Sequence, residues 1–139
     1  MKKIVNLILM ASIVGFFAVS CDRNDDENVI QSVDAIKIDS VKIAQYTMDV
    51  FTVQTIKTYS TYSDGCHGFY GYDYRRNDLT RTITAYQYKV NGNCTQATYV
   101  GTNGFNFRPE EKGTYTFKFW GGKDSNNADI WIEKTIVVE

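Results

Sequence analysis

The chain has 139 residues, 43% of them hydrophobic and 22% charged, with a formal net charge of −1. So even a balance supplies no basic stripe for nucleic acid and excludes that class of partner. A single His and three Cys leave little from which to build a metal or multi-histidine centre.

Lys2 and Lys3 precede an apolar run from Ile4 to Val19 that Asn6 and Ser12 interrupt. The run is short for a spanning helix and ends in small residues, as a secretory signal does. Its end, Ala18-Val19-Ser20-Cys21, resembles the lipobox of bacterial lipoproteins, with Ala18 where that motif usually has Leu. The resemblance implies cleavage before Cys21, a diacylglycerol on its sulfur and an acylated amino terminus. A plain secretory signal with a chance Cys is the alternative. Two or three acyl chains hold far more firmly than one, since each buried methylene adds about 0.8 kcal/mol. Removing residues 1–20 takes away Lys2 and Lys3 and no acid, so 13 basic residues remain against 16 acidic, a net charge of −3.

Asp22 to Asn28 holds four acids, one Arg and no apolar residue, so it can bury nothing and is expected to be a solvated tether. A short acidic run after the lipidated Cys also resembles the surface-export signal of Bacteroidota lipoproteins. These signals divide the chain into a signal peptide over 1–20, a lipidated Cys and tether over 21–32, and a folded domain over 33–139.

From Val33 the composition turns to Ile, Val, Thr, Tyr and Phe, the residues of strands. Ile36 and Ile38 alternate with polar neighbours, and then the apolar parity switches to Val41 and Ile43. Such a switch predicts a bulge or a break, as when a first strand crosses between sheets. Met48 to Tyr59 predicts a second strand, with either Val50 or the Phe51/Val53 pair inward. Ser63-Asp64-Gly65 predicts a turn, Phe69 to Tyr74 a third strand, and Arg75 to Asp78 a loop. Thr80 to Val90 predicts a strand that Asn91-Gly92 closes as a hairpin, with Cys94 to Val100 pairing back and Gly101 to Gly104 turning again. Phe105 and Phe107 form a short strand before Pro109.

The most regular stretch is Glu111 to Trp120. Tyr115, Phe117 and Phe119 fall on one parity, Thr116 and Lys118 on the other, and Gly113 supplies the turn into it. The pattern resembles the sixth strand of immunoglobulin-like domains, where a Tyr two residues before a core Cys forms a tyrosine corner. Phe117 stands where that Cys would be, so the inter-sheet disulfide of antibodies is absent. Gly121 to Asn127 is a polar turn, and Ile130 to Val138 ends the domain with Ile130, Ile132, Ile136 and Val138 on one parity. Seven or eight short strands and no helical period predict an all-β, antiparallel β-sandwich, immunoglobulin-like by that resemblance.

In the oxidising compartment that the leader implies, Cys66 and Cys94 are expected to be bonded. A zinc site using His67 beside Cys66 is the sharper alternative, but zinc needs further ligands and no second His exists. Asp64, Asp73 and Asp78 match no EF-type calcium spacing. The run G-C-H-G-F-Y-G-Y-D-Y-R-R, the later Cys, G-T-Y-T-F-K-F-W and the I-V-V-E ending together resemble small flavobacterial lipoproteins. That resemblance implies a lipid-anchored immunoglobulin-like domain and no catalytic residue.

Strict alternation puts Tyr70, Tyr72 and Tyr74 on one face, either core or surface. Asp73 argues that its own parity is the wet one. Phe69 shares that parity, which predicts a bulge at Gly68 or Gly71. A face carrying Tyr72, Tyr74 and Trp120, with Arg75 and Arg76 as donors, suits sugars, whose C–H faces stack on rings. The function expected is therefore a lipid-anchored lipoprotein of the outer membrane with a non-catalytic domain that contacts glycan or an envelope protein. It needs no cofactor and no metal. A purely structural envelope protein is the alternative, and an enzyme comes third for want of paired carboxylates or a catalytic motif.

Overall fold

The computed structural model describes residues 29–139. The expected signal peptide, the expected lipidation site Cys21 and the acidic run lie outside the described residues. Nine strands follow one another: β1 (Ile30–Ile36), β2 (Ser40–Lys42), β3 (Thr47–Met48), β4 (Gln54–Tyr62), β5 (His67–Asn77), β6 (Thr80–Val90), β7 (Tyr99–Phe107), β8 (Gly113–Lys123) and β9 (Asp129–Val138). β1 begins at Ile30, ahead of the Val33 boundary set by composition.

The strands form two sheets. The larger has β5 along one edge of β6, and on its other edge β1 and then β8, followed by β9 and β3. The β6–β8 and β3–β9 pairs are parallel, and the others in this sheet antiparallel. The smaller sheet is β2-β4-β7. The parity switch after Ile38 is the crossing between the two. β1 pairs with β6 up to Ile36, and β2 pairs with β4 from Ser40.

The core is built on β8. Tyr115, Phe117 and Phe119 are buried and meet Phe105 and Phe107 of β7 from the facing sheet. Phe107 stands edge-on to Phe117 at 4.9 Å and 88°, the arrangement that ring quadrupoles favour. The Tyr115 hydroxyl donates to the Glu111 carbonyl oxygen, four residues upstream, at 3.0 Å. Gly113 enters this strand at φ 144, a conformation that L side chains rarely adopt, so the backbone favours glycine there.

Several boundaries differ from expectation. The stretch 49–53 is a loop in which Val50 packs on the core while Phe51 and Val53 are exposed. The Gln54 side chain explains the break. It donates to the Gln45 carbonyl and accepts from the Gln45 amide, standing in for strand pairing. β4 then buries Gln54, Ile56, Thr58, Ser60 and Tyr62. Asn91-Gly92 does not close a hairpin. Cys94 is drawn to Cys66, and Gly65 donates to the Thr95 carbonyl at 2.7 Å, so the chain crosses to the other sheet. Gly101 to Gly104 lies within β7, which pairs with β4 along its whole length. Arg75 to Asn77 belongs to β5, and the turn is only Asp78-Leu79, with Asp78 at φ 52. Gly121 and Gly122 lie in β8 at a register shift, and Asp124 holds the following turn by accepting from the Asn126 and Ala128 amides.

Candidate functional site

β5 and β7 are each an edge strand of their sheet, and they face each other across one side of the sandwich. At their starts the gap is closed. Cys66 and Cys94 are bonded, with Cα atoms 5.2 Å apart. Tyr99 stacks on Tyr62 at 5.0 Å, and its hydroxyl donates to the His67 carbonyl at 2.6 Å. Further along, the gap opens into a cleft of about 490 Å³.

A bulge in β5 decides which side chains enter that cleft. Phe69 pairs with Gln87 and Gly71 with Tyr86, leaving Tyr70 as the extra residue. The bulge reverses the parity between Phe69 and Tyr72, so Phe69, Tyr72 and Tyr74 all face the second sheet. Tyr70 is turned out and is 58% exposed. The shared Tyr70-Tyr72-Tyr74 face implied by strict alternation is therefore split. Tyr72 packs on Phe69 at 4.7 Å and edge-on to Phe105 at 5.4 Å, and its hydroxyl pairs with Thr58 Oγ1 at 2.6 Å. Tyr74 stands edge-on to Phe105 at 5.3 Å. Burial pushes the Tyr72 and Tyr74 hydroxyls above the usual phenol range, and the positive charges of Arg81 and Arg76 pull Tyr74 only part of the way back. Both tyrosines therefore offer neutral hydroxyls at neutral pH.

Of the five residues that the sequence marks as a ligand face, the structure brings three together. Tyr72, Tyr74 and Arg76 line the cleft, with the Arg76 guanidinium 5.7 Å from the Tyr74 ring centre. Arg75 points the other way and pairs with Asp73 at 2.8 Å. Trp120 is the neighbour of the buried Phe119 and faces outward, where its Nε1 donates to Asp129 at 2.9 Å. A platform of Tyr72, Tyr74 and Trp120 does not exist, because alternation sends Trp120 to the opposite side of its sheet.

Arg81, Phe105, Arg108 and Tyr115 also line the cleft, although none belongs to the ligand face expected from the sequence. Arg81 carries a legible signal, since in T-R-T-I-T-A it shares the parity of Ile83 and Ala85. That parity is the buried one, and Arg81 is only 8% exposed. Its Nη1 donates to the Asp78 and Thr80 carbonyls, and its guanidinium lies 4.9 Å from the Tyr115 ring centre. Arg108 stands 4.9 Å from the Phe51 ring centre at the rim.

Near the disulfide, Ser63, His67 and Asp64 come together without forming a relay. Asp64 Oδ1 lies 2.7 Å from His67 Nδ1, and Ser63 Oγ lies 3.2 Å from the same nitrogen. A nucleophile and an orienting acid must sit on opposite ring nitrogens. The His67 hydrogen bond instead holds the Asp64 carboxyl below the usual carboxylate range, and Asp64 also accepts from the Cys66 amide. Among the described residues, no group of three or more His, Cys, Asp or Glu is placed to hold a metal ion. A second, more open groove of about 420 Å³ lies on the outer face around Gly71, beside Tyr70, Tyr86 and Val33. Comparison with protein-family models, with curated proteins and with solved structures finds no match to the chain.

Proposed function

We propose that this chain is a lipid-anchored lipoprotein of the outer membrane whose immunoglobulin-like sandwich is a non-catalytic binding module for glycan. The observation that carries the binding role is the cleft between β5 and β7. It is concave, within the size range of small-molecule sites (about 300–1,000 Å³), and lined by rings with a few convergent polar groups. Tyr72, Tyr74 and Phe105 offer ring surface to the C–H faces of a sugar, while the tyrosine hydroxyls and Arg76 offer partners to its hydroxyls. The anchor rests on Ala18-Val19-Ser20-Cys21, and the immunoglobulin-like identity is supported by the crossing first strand and the Tyr115–Glu111 bond. The non-catalytic character is supported by Ser63 and Asp64 sharing one nitrogen of the single His.

The test has two arms. The full-length chain, purified in neutral detergent, is applied to a glycan array and then compared with Tyr74→Ala. Binding that this variant loses while keeping its fold supports the cleft, and no signal for any glycan overturns it. In cells, Cys21→Ala is expected to leave the membrane fraction or to remain unprocessed. Normal processing and retention would remove the anchor.

A further inference from the structure

The glycan reading leaves Arg81 unexplained. A guanidinium cannot shed its charge at any ordinary pH, and a buried charge is costly unless it is paired. Yet among the described residues no carboxylate lies within ion-pair distance of Arg81, although six such pairs form elsewhere. Two backbone carbonyls and the face of Tyr115 orient the guanidinium without neutralising it. The acids of the cleft do not do so either. Glu110 is exposed and reaches only Arg108, at 3.9 Å, while Glu111 is exposed and supplies its backbone carbonyl to Tyr115. The cleft thus has a fixed, partly desolvated cation in its wall and two further arginines, Arg76 and Arg108, around it.

We propose that Arg81 forms an anion subsite in this cleft that takes a carboxylate borne on a ring, so that the saccharide bound is a sugar acid. This rests on the cleft being the ligand site. The planar fork of arginine matches a carboxylate in two parallel hydrogen bonds, which a neutral hydroxyl cannot reproduce. The Tyr74 hydroxyl, close enough to feel the charge of Arg81, donates to the same oxygens. Phe105 and Tyr72 take the ring that carries the carboxylate. Because Arg81 is buried, salt weakens this interaction less than it weakens capture by exposed Arg76 and Arg108.

Galacturonate, galactose and benzoate are titrated calorimetrically into the full-length chain in neutral detergent, and the arginine Nε–Hε signals are followed by NMR. Galacturonate is expected to bind at least about tenfold tighter than galactose, about 1.4 kcal/mol, and to shift the Arg81 signal. Arg81→Gln is expected to abolish that preference. Should Arg81→Gln fail to fold, Arg76→Gln is expected to reduce the preference severalfold, and the Arg81 signal of the unaltered chain decides the rest. Equal binding of galacturonate and galactose would overturn the anion subsite and leave the glycan cleft standing. Benzoate binding as tightly as galacturonate would keep the subsite and remove the sugar. Binding of none of the three, or shifts confined to Arg75 on the outer face, would overturn both.

Discussion

One edge of this sandwich is built in two contrasting halves. Where β5 and β7 begin, a disulfide ties together the connections that lead into the two strands, and Tyr99, stacked on Tyr62 of its own sheet, donates across the gap to the His67 carbonyl. Where the same strands end, rings line a gap that nothing closes, and a buried arginine sits in its wall. A gap between two sheets ordinarily collapses, because apolar surface gains by leaving water. Pinning one half fixes the spacing of the other, so the cleft can stay open with Phe105 only partly covered. Closure at one end is thus the structural condition for a preformed site at the other.

Breaking the pinned half is expected to have the largest effect. Cys66 and Cys94 close a loop of 28 residues, and removing such a link costs about 3–4 kcal/mol on the chain-entropy model. Urea unfolding of Cys66→Ala against the unaltered chain measures it. If the coupling between halves is correct, this variant also weakens ligand binding although Cys66 lies outside the cleft. A stability loss with unchanged binding would separate the two halves.

Phe105→Ala attacks the open half directly. A fully buried Phe costs about 3–5 kcal/mol when cut to Ala, and Phe105 is half-buried, so about 2 kcal/mol is expected. The ring is the common contact of Tyr72 and Tyr74, which then lose their edge-on partner. Binding should fall further than the stability change alone would cause. Urea unfolding and galacturonate titration of the same sample read both.

How much of this was legible in the sequence differs between the halves. Alternation in Tyr115-Thr116-Phe117-Lys118-Phe119 predicts the core strand correctly, because a half-buried strand has a period of two and nothing competes with it. The disulfide was legible from the count of cysteines and from the compartment expected of the leader. The site was harder, since its residues are aligned by one extra residue. Tyr70 in the bulge turns Phe69 from a neighbour of Asp73 into a partner of Tyr72, and a parity argument cannot place that shift without knowing β6. Asn91-Gly92 misled for a related reason. Its local hairpin preference is overridden by Cys94, whose partner lies 28 residues away. Arg81 had a clean parity signal, but a charged residue on an apolar face reads as a contradiction until a cavity is seen beside it.

Smaller effects sharpen the contrast. Tyr99→Phe removes only the hydroxyl that bonds the His67 carbonyl, and keeps the ring stacked on Tyr62. A loss of about 1 kcal/mol in urea unfolding is expected. The pH dependence is smaller across the ordinary range. Folded Tyr72 and Tyr74 have raised pKa values, so the stability they contribute is complete below the unfolded value of about 10 and is lost as pH rises through the folded values. These tyrosines should therefore add no slope between about pH 6 and 9, and a decline above about 10. A tyrosinate absorbance titration that shows both groups ionising below the ordinary phenol value would contradict their burial in the cleft.

The smallest expected effect is the most discriminating. Arg75 and Arg76 are adjacent, and strand alternation sends them to opposite faces of β5. Arg75 forms an exposed pair with Asp73, of a kind that contributes about 0–1 kcal/mol, while Arg76 lies over Tyr74 at the cleft. Arg75→Ala should thus change the urea midpoint within about 0.5 kcal/mol and leave galacturonate affinity where it was. Arg76→Ala, at a residue that is also exposed and carries the same charge, should weaken affinity severalfold. Two neighbouring cations of the same type make long-range attraction common to both variants, so any difference reports which face the ligand touches. If Arg75→Ala weakened binding as much as Arg76→Ala, the ligand would be held by general charge or by the outer groove at Gly71, and the open half of the edge would lose its role.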